Sequence, residues 1–155
     1  MHAGTAPNAI PGDGYVRGTV RMLSRTAWQD AEKLVCAAVE QVVAPTGADV
    51  QIVYERGVPP VTNHPDAVEV QRSAVLAVLG EDGLTSTEQS MGGEDFGWYL
   101  DAAPGALARL GTRPPGLADS TVDLHQGGFD IDERAIALGA RFLALSALTG
   151  LRQEP

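Results

Sequence analysis

The sequence predicts a soluble α/β protein in which short strands alternate with longer helices. Hydrophobic residues make up 44% of the 155 positions, which is enough to form a core without disulfides or metal ions. Apolar residues recur at three- and four-residue steps in several long stretches, the pattern of helices with one buried face. Stretches rich in β-branched residues lie between them, bounded by glycine and proline. This alternation favours a sheet covered by helices.

Charge excludes two classes of partner. The chain has 11 Lys and Arg against 20 Asp and Glu, a formal net charge of −9, and its basic residues are not clustered. This argues against a surface for nucleic-acid phosphates and against a polybasic membrane patch. No apolar run approaches the roughly 20 residues of a membrane span, and the N-terminus lacks the features of a signal peptide. With one cysteine, Cys36, no internal disulfide can form, so we expect a cytoplasmic protein.

The first third of the chain predicts the order strand, helix, strand. A turn leads into a strand over 14–23, and Ser24 or Thr26 can cap a helix over 27–44. The alternation of side chains over 49–55 is typical of a strand with two different faces. Two strands and one helix are marginal in water, so we expect this unit to take further strands from outside the chain.

Prolines mark a domain boundary after this first unit. The stretch 57–65 contains three prolines, each of which removes a backbone donor, so regular structure is excluded there. Beyond it, apolar periodicity predicts a helix over 66–79 and a short helix over 94–101. The residues over 105–111 read as a buried strand, and prolines then return the chain to a loop.

The last helix has the strongest start signal. Asp130 and Glu133, three positions apart, match a capping box, and an apolar series follows as far as Gly150. The length and apolarity of this helix predict a buried position. We also expect Cys36, beside the apolar stripe of the first helix, to serve in packing.

His125 is the first candidate for chemistry, because it follows a predicted strand edge and precedes the last helix. Loops at strand ends are where α/β proteins carry their sites. On position alone, an exposed or packed histidine with no chemical role is the favoured interpretation. Metal binding needs three or more ligands, and no second His or Cys lies at ligand spacing.

The second candidate is the glycine pair Gly92 and Gly93, which lets a backbone approach a ligand closely. Glu94 and Asp95 follow at a helix start, so a turn and a cap explain the same residues.

The third candidate is the pair Asn8 and Arg21. A guanidinium such as that of Arg21 can hold a carboxylate through two parallel hydrogen bonds, although most strand-borne arginines are solvated or paired at the surface.

Taken together, these landmarks resemble the amidohydrolase branch of the M20 metallopeptidase family. They occur in the family's order over nearly the whole chain, which makes the set far more specific than any one member. The matching stretches are 5–11 with 18–21, 59–63, 92–96, the pair 124–125 with Phe129, and the positions Asp132, Glu133 and Gly139.

The resemblance implies a partial two-domain chain. Residues 1–62 match the second half of a ferredoxin-like α+β lid, or dimerisation, domain. Residues 63–155 match the C-terminal part of an α/β zinc-peptidase-like catalytic domain. Family members are well over twice as long as this chain. Their remaining metal ligands and the glutamate that activates water lie before the matching region, so no catalytic residue is expected in this chain.

The resemblance also assigns roles to the candidate residues. His125 matches the family's last ligand to a pair of divalent metal ions, with zinc, manganese and cobalt as the expected metals. Asn8 and Arg21 match lid residues that reach the substrate's carboxylate or polarised carbonyl. Gly92 and Gly93 match the wall of the substrate pocket. Cys36 is not at the family's cysteine position, and Glu94 and Asp95 receive no ligand role.

The implied reaction is metal-dependent hydrolysis of the amide bond of N-acyl amino acids or related small amides. Since most ligands are absent, we expect the chain to be inactive alone and to associate, as a homo-oligomer or with an N-terminal half. The alternative is a non-catalytic interaction or dimerisation module derived from the same fold.

Overall fold

The structure is a computed structural model that describes residues 1–117 and 122–152. It divides into two compact units. The first contains Met1–Pro60 together with Met91–Gly93, and the second contains the described residues of 61–90 and 94–155. The first unit is therefore assembled from two stretches that are distant in sequence.

The first unit contains a small sheet and one long helix. Strand β1 (His2–Ala3) pairs with β2 (Gly14–Tyr15) in antiparallel fashion, with His2 opposite Tyr15. The helix α1 spans Arg25–Val43. Its N-terminus is capped by Ser24, whose Oγ accepts a hydrogen bond from the backbone N of Ala27 at 3.3 Å. The helix predicted over 27–44 and one of its two predicted caps are thus confirmed.

Arg56 joins the extended segment after α1 to that helix. Its Nη1 donates to the carbonyl oxygens of Trp28 at 3.2 Å and Gln29 at 3.1 Å, and its Nη2 donates to Glu32 Oε2 at 3.1 Å. The guanidinium also lies over the Trp28 ring, 5.0 Å from the ring centroid. Arg56 thereby ties this segment to α1, where the sequence predicts pairing in a sheet.

The predicted strands are mostly wrong. The strand expected over 14–23 pairs only at Gly14–Tyr15, and neither 49–55 nor 105–111 forms a strand. A strand is stabilised by hydrogen bonds to a neighbouring backbone, and β1 and β2 form the only sheet within 1–117 and 122–152. The described residues are therefore helix-rich rather than built on the larger sheet of the predicted α/β fold.

The second unit contains the other helices. They are α2 (Pro65–Leu79), the short α3 (Phe96–Tyr99) and α4 (Arg134–Gly150). Helix α2 packs along α4, and both contribute buried alanines, Ala74 and Ala135. All three helices were predicted, with ends that differ by a few residues. In the described part of the chain, no helix is long and apolar enough to cross a lipid bilayer.

Residues 105–107 are ordered by side chains and by one backbone contact. His64 N donates to the carbonyl of Gly105 at 2.8 Å, and Gln71 Nε2 donates to that of Ala106 at 2.6 Å. The amide of Asn63 accepts from Leu107 N at 2.8 Å and donates to Leu107 O at 3.1 Å. These bonds satisfy backbone groups that a neighbouring strand would otherwise bind.

Two expectations for the last helix are wrong. Asp130 Oδ1 accepts from the backbone N of Ile131, so it does not form the predicted capping box with Glu133. The helix is also not buried, since Leu143 is 66% exposed. The physical reason is that α2 covers one side of α4 and leaves its other apolar side chains in contact with solvent.

Candidate functional site

Arg21 and the loop 91–93 lie together in the first unit. The Nη1 atom of Arg21 donates a hydrogen bond to the carbonyl oxygen of Met91 at 3.0 Å. The two residues are 70 positions apart in sequence, and the arginine is exposed to solvent. The bond fixes the direction of a side chain that otherwise has several freely rotating torsions.

Gly93 lies directly against the same guanidinium. A Cβ atom built on Gly93 would be 3.3 Å from Arg21 Nη1 and 3.1 Å from Val58 Cγ2. Both distances are shorter than ordinary van der Waals contact. The backbone of Gly93 is not in the left-handed region, so its glycine is explained by close approach rather than by conformation.

The remaining donors of Arg21 have a defined position. In residues 1–117 and 122–152, the structure pairs Arg21 with no carboxylate, and its one hydrogen bond is that to Met91. Since Nη1 is engaged, the edge formed by Nε and Nη2 is left for a ligand. Two parallel N–H donors of this kind match the two oxygens of a carboxylate.

Asn8 lies in a separate exposed turn of the first unit. The turn is closed by a hydrogen bond from Ala9 N to the carbonyl of Ala6 at 3.4 Å. No hydrogen bond joins Asn8 to Arg21 within the described residues. Of the candidates placed in the first unit, the structure thus brings together Arg21 and the glycine loop, while the role predicted for Asn8 stays a prediction.

His125 lies in an exposed turn of the second unit. Gln126 N donates to the carbonyl of Asp123 at 3.2 Å, and the Asp123 carboxylate accepts from Leu124 N at 2.8 Å. Within the described residues, His125 is the one residue other than glycine with a positive φ, at 70°. This left-handed conformation costs free energy for a residue with a Cβ, and such costs are concentrated at functional positions.

The described residues do not by themselves fit a metal ion. Within 1–117 and 122–152, no three His, Cys, Asp or Glu side chains come together as a possible metal site. A single imidazole such as that of His125 supplies one of the three or more protein ligands that a catalytic metal needs. A ligand role for His125 therefore depends on groups beyond the described residues.

Sequence reasoning missed the ion pair of Asp132 and Arg134 at the start of α4. Arg134 Nε donates to both carboxylate oxygens of Asp132 at 2.9 Å, and Asp132 Oδ1 also accepts from Arg134 N at 3.0 Å. The hydrogen bonds from Arg134 lower the pKa of Asp132 and raise that of Arg134. An acidic residue two positions before an arginine at a helix start was the available signal.

Family comparison agrees with the resemblance seen in the sequence. The model of peptidase family M20/M25/M40 matches residues 4–149. The chain belongs to this family.

Three curated relatives illustrate its similarity. A protein of Rhodococcus jostii (strain RHA1), provisionally named glutamate–cysteine ligase 2-3, is 44% identical over 98% of this chain and 19% of its own length. A protein of Synechocystis sp. (strain ATCC 27184 / PCC 6803 / Kazusa), provisionally named hydrolase sll0100, is 37% identical over 95% of this chain and 37% of its own length. The N-acetylcysteine deacetylase of Bacillus subtilis (strain 168) is 30% identical over 93% of this chain and 36% of its own length.

The chain spans between 19% and 37% of the length of these relatives, so their names describe proteins much larger than the matching region. No match to a solved structure was found.

Proposed function

We propose that the chain is the C-terminal part of a metal-dependent amidohydrolase that cleaves the amide bond of N-acyl amino acids or related small amides. Membership of the M20 family and the name of the deacetylase relative support a hydrolase of this kind. Residues 1–62 then correspond to the partial lid domain and 63–155 to the C-terminal part of the catalytic domain.

The position of Arg21 carries this proposal. An N-acyl amino acid carries an α-carboxylate next to its amide bond, so a cation held at a fixed position can recognise and orient it. Arg21 supplies such a cation because the Met91 carbonyl orients it and no carboxylate of the described residues neutralises it. Its Nε and Nη2 atoms bind the substrate carboxylate, and Asn8 binds the carboxylate or the polarised carbonyl.

His125 contributes one ligand to a divalent metal in the complete enzyme, with zinc, manganese or cobalt as the candidates. When bound, the metal would supply an activated water and would polarise the amide carbonyl. The described residues do not hold such an ion alone, so the chain by itself is inactive and needs the remaining ligands from a larger assembly.

The experiment is a graft into the deacetylase relative. The region of the B. subtilis N-acetylcysteine deacetylase that matches this chain is replaced by it, and hydrolysis of N-acetylcysteine is measured with added Zn²⁺, Mn²⁺ or Co²⁺. We expect hydrolysis by the graft, loss of it on His125→Ala, and a raised KM on Arg21→Met. Gly18→Ala is the matched control, because a Cβ at Gly18 meets no atom within 4 Å.

The isolated chain is assayed beside the graft with N-acetyl and N-benzoyl amino acids. We expect no turnover. Turnover by the isolated chain that is abolished by His125→Ala would contradict the proposed dependence on further ligands. A folded graft whose activity is indifferent to both substitutions would contradict the roles of Arg21 and His125.

A second candidate is a non-catalytic interaction module of the same fold. The exposed apolar side chains of α4 favour it, because Ile136 and Leu143 are each 66% exposed. In that case the isolated chain self-associates, and Leu143→Glu prevents association. Sedimentation velocity of the two proteins measures this association, and the graft distinguishes the two candidates, because a folded graft of a non-catalytic module hydrolyses no N-acetylcysteine.

A further inference from the structure

We infer that Gly93 is a positioning residue for Arg21, acting by the absence of a side chain rather than by touching substrate. The inference rests on the proposed function for the statement that Arg21 binds a carboxylate. This positioning role differs from the one that the family resemblance gives to the glycine loop, which is to form a wall of the substrate pocket.

The neighbours of Gly93 leave too little room for a side chain at this position. A Cβ there would be 3.3 Å from Arg21 Nη1 and 3.1 Å from Val58 Cγ2, so the guanidinium, the valine or the loop would have to move by a few tenths of an ångström. Val58 is half-buried and lies next to Pro59, whose side chain is fully buried. The exposed guanidinium of Arg21 is therefore the neighbour most easily displaced.

Displacement of the Arg21 guanidinium would disturb its hydrogen bond from Nη1 to Met91 O. Met91 is two residues before Gly93, so the carbonyl that orients the guanidinium and the glycine that makes room for it belong to one short segment of backbone. Movement of Nη1 away from a new Cβ changes the 3.0 Å geometry of this bond, and charge-assisted hydrogen bonds depend steeply on distance and angle.

The same displacement turns the Nε and Nη2 edge. A carboxylate held by two parallel donors is sensitive to orientation, because both hydrogen bonds must be short and linear at once. Gly93 thus controls how well a substrate carboxylate is held, without contributing a contact of its own.

The test compares four variants of the full chain with the wild type by nuclear magnetic resonance. They are Gly93→Ala, Gly93→Ala with Val58→Ala, Gly18→Ala and Arg21→Met. The Nε–H resonance of Arg21 and its rate of exchange with solvent report the orientation of the guanidinium without any ligand. N-acetylalanine and the neutral N-acetylalaninamide are then titrated as carboxylate and control probes.

We expect Gly93→Ala to shift the Arg21 resonance and to weaken binding of N-acetylalanine about fivefold, the effect of impairing one charge-assisted hydrogen bond. Gly18→Ala should change neither, since its Cβ meets nothing within 4 Å. Removing the Val58 methyl groups gives the new Cβ room, so the double variant should recover most of the affinity. Circular dichroism and this double variant separate displacement from misfolding.

The outcomes separate the two proposals. An unchanged Arg21 resonance and unchanged affinity in folded Gly93→Ala would overturn the inference while leaving the proposed function standing. A shifted resonance in Gly93→Ala with no binding of N-acetylalanine by the wild type would support positioning by Gly93 and contradict the carboxylate role of Arg21. Equal binding of both probes by the wild type and by Arg21→Met would likewise contradict that role.

Discussion

The side-chain amide of Asn63 forms two hydrogen bonds with the backbone of Leu107, accepting from its N at 2.8 Å and donating to its O at 3.1 Å. An amide side chain has the donor and acceptor of a peptide group, so Asn63 pairs with Leu107 as a neighbouring strand would. Together with the bonds from His64 and Gln71 to the two preceding carbonyls, Asn63 thus holds the start of the segment that the sequence predicts as a strand.

Replacing Asn63 tests this pairing. We expect Asn63→Ala to lower the free energy of unfolding by about 1–2 kcal/mol, because two backbone groups lose their partner. Asn63→Asp retains the acceptor but places a carboxylate oxygen against the Leu107 carbonyl, so it should be destabilising as well. Urea unfolding measures both, with the exposed Asn8→Ala as the control. Equal stability of Asn63→Ala and the wild type would show that water replaces the amide without loss.

The left-handed turn predicts an unusual order of stability at His125. Glycine adopts a φ of 70° without a Cβ penalty, so His125→Gly should be more stable than His125→Ala by about 1 kcal/mol. Gln126→Gly is the neighbouring control, where φ is not positive and no gain is expected. Urea unfolding curves give the comparison, and a less stable glycine variant at position 125 would contradict the observed backbone conformation.

The ion pair at the start of α4 predicts a pH dependence. Hydrogen bonds from Arg134 lower the pKa of Asp132 from its ordinary 3.8, so between the two values the unfolded state binds more protons than the folded state. The stabilisation is therefore present above the ordinary pKa and is lost as the pH falls through the lowered value.

Melting temperatures between pH 2 and 7 check this prediction. The melting temperature of the wild type should be higher than that of Asp132→Asn at neutral pH. The difference between the two melting temperatures should shrink as the pH falls below about 4. A difference that stays constant over the whole range would mean that the charge of Asp132 does not stabilise the fold. Asp130→Asn is the control, because among the described residues the Asp130 carboxylate accepts a hydrogen bond only from Ile131 N.

Gly139 predicts a stabilising substitution. It lies inside α4, where glycine is about 1 kcal/mol less favourable than alanine. A Cβ there would meet Leu110 Cδ2 at 3.2 Å, but Leu110 is 45% exposed and its side chain has room to move. Gly139→Ala should therefore raise the free energy of unfolding by roughly 0.5 kcal/mol. The converse change Ala137→Gly is the control. A lower free energy of unfolding for Gly139→Ala would show that the Leu110 side chain cannot move away from the new Cβ.

The helices could be predicted because their signals are local. The apolar series of α1, α2 and α4 recur at helical steps within one element, and the Ser24 cap lies beside the residues it serves. Strands depend on a partner elsewhere in the chain, so residues with good strand composition, such as those over 49–55, remain unpaired here. Nothing in the local sequence indicates that Asn63 substitutes for a strand.

The candidate site could be predicted in its residue types but not in its geometry. The family resemblance selected Arg21 and the glycine loop, yet Arg21 and Met91 are 70 positions apart and nothing between them signals that Arg21 donates to Met91. Val58 was missed because a valine in a proline-rich loop has no chemical signature of its own. The role of Asp132 was missed because the nearby capping-box pattern assigned the helix start to Asp130 and Glu133.

The order of synthesis matters for the first unit, because Met91–Gly93 is made well after Pro60. At a translation rate of roughly 5–20 residues per second, these three residues follow Pro60 by roughly 2–6 s. During that interval the Arg21 guanidinium lacks the Met91 carbonyl that holds it in the folded first unit. The hydrogen bond from Arg21 to Met91 is therefore among the later contacts of the first unit to become possible, and a protein cut after Pro60 would lack the carbonyl that orients this arginine.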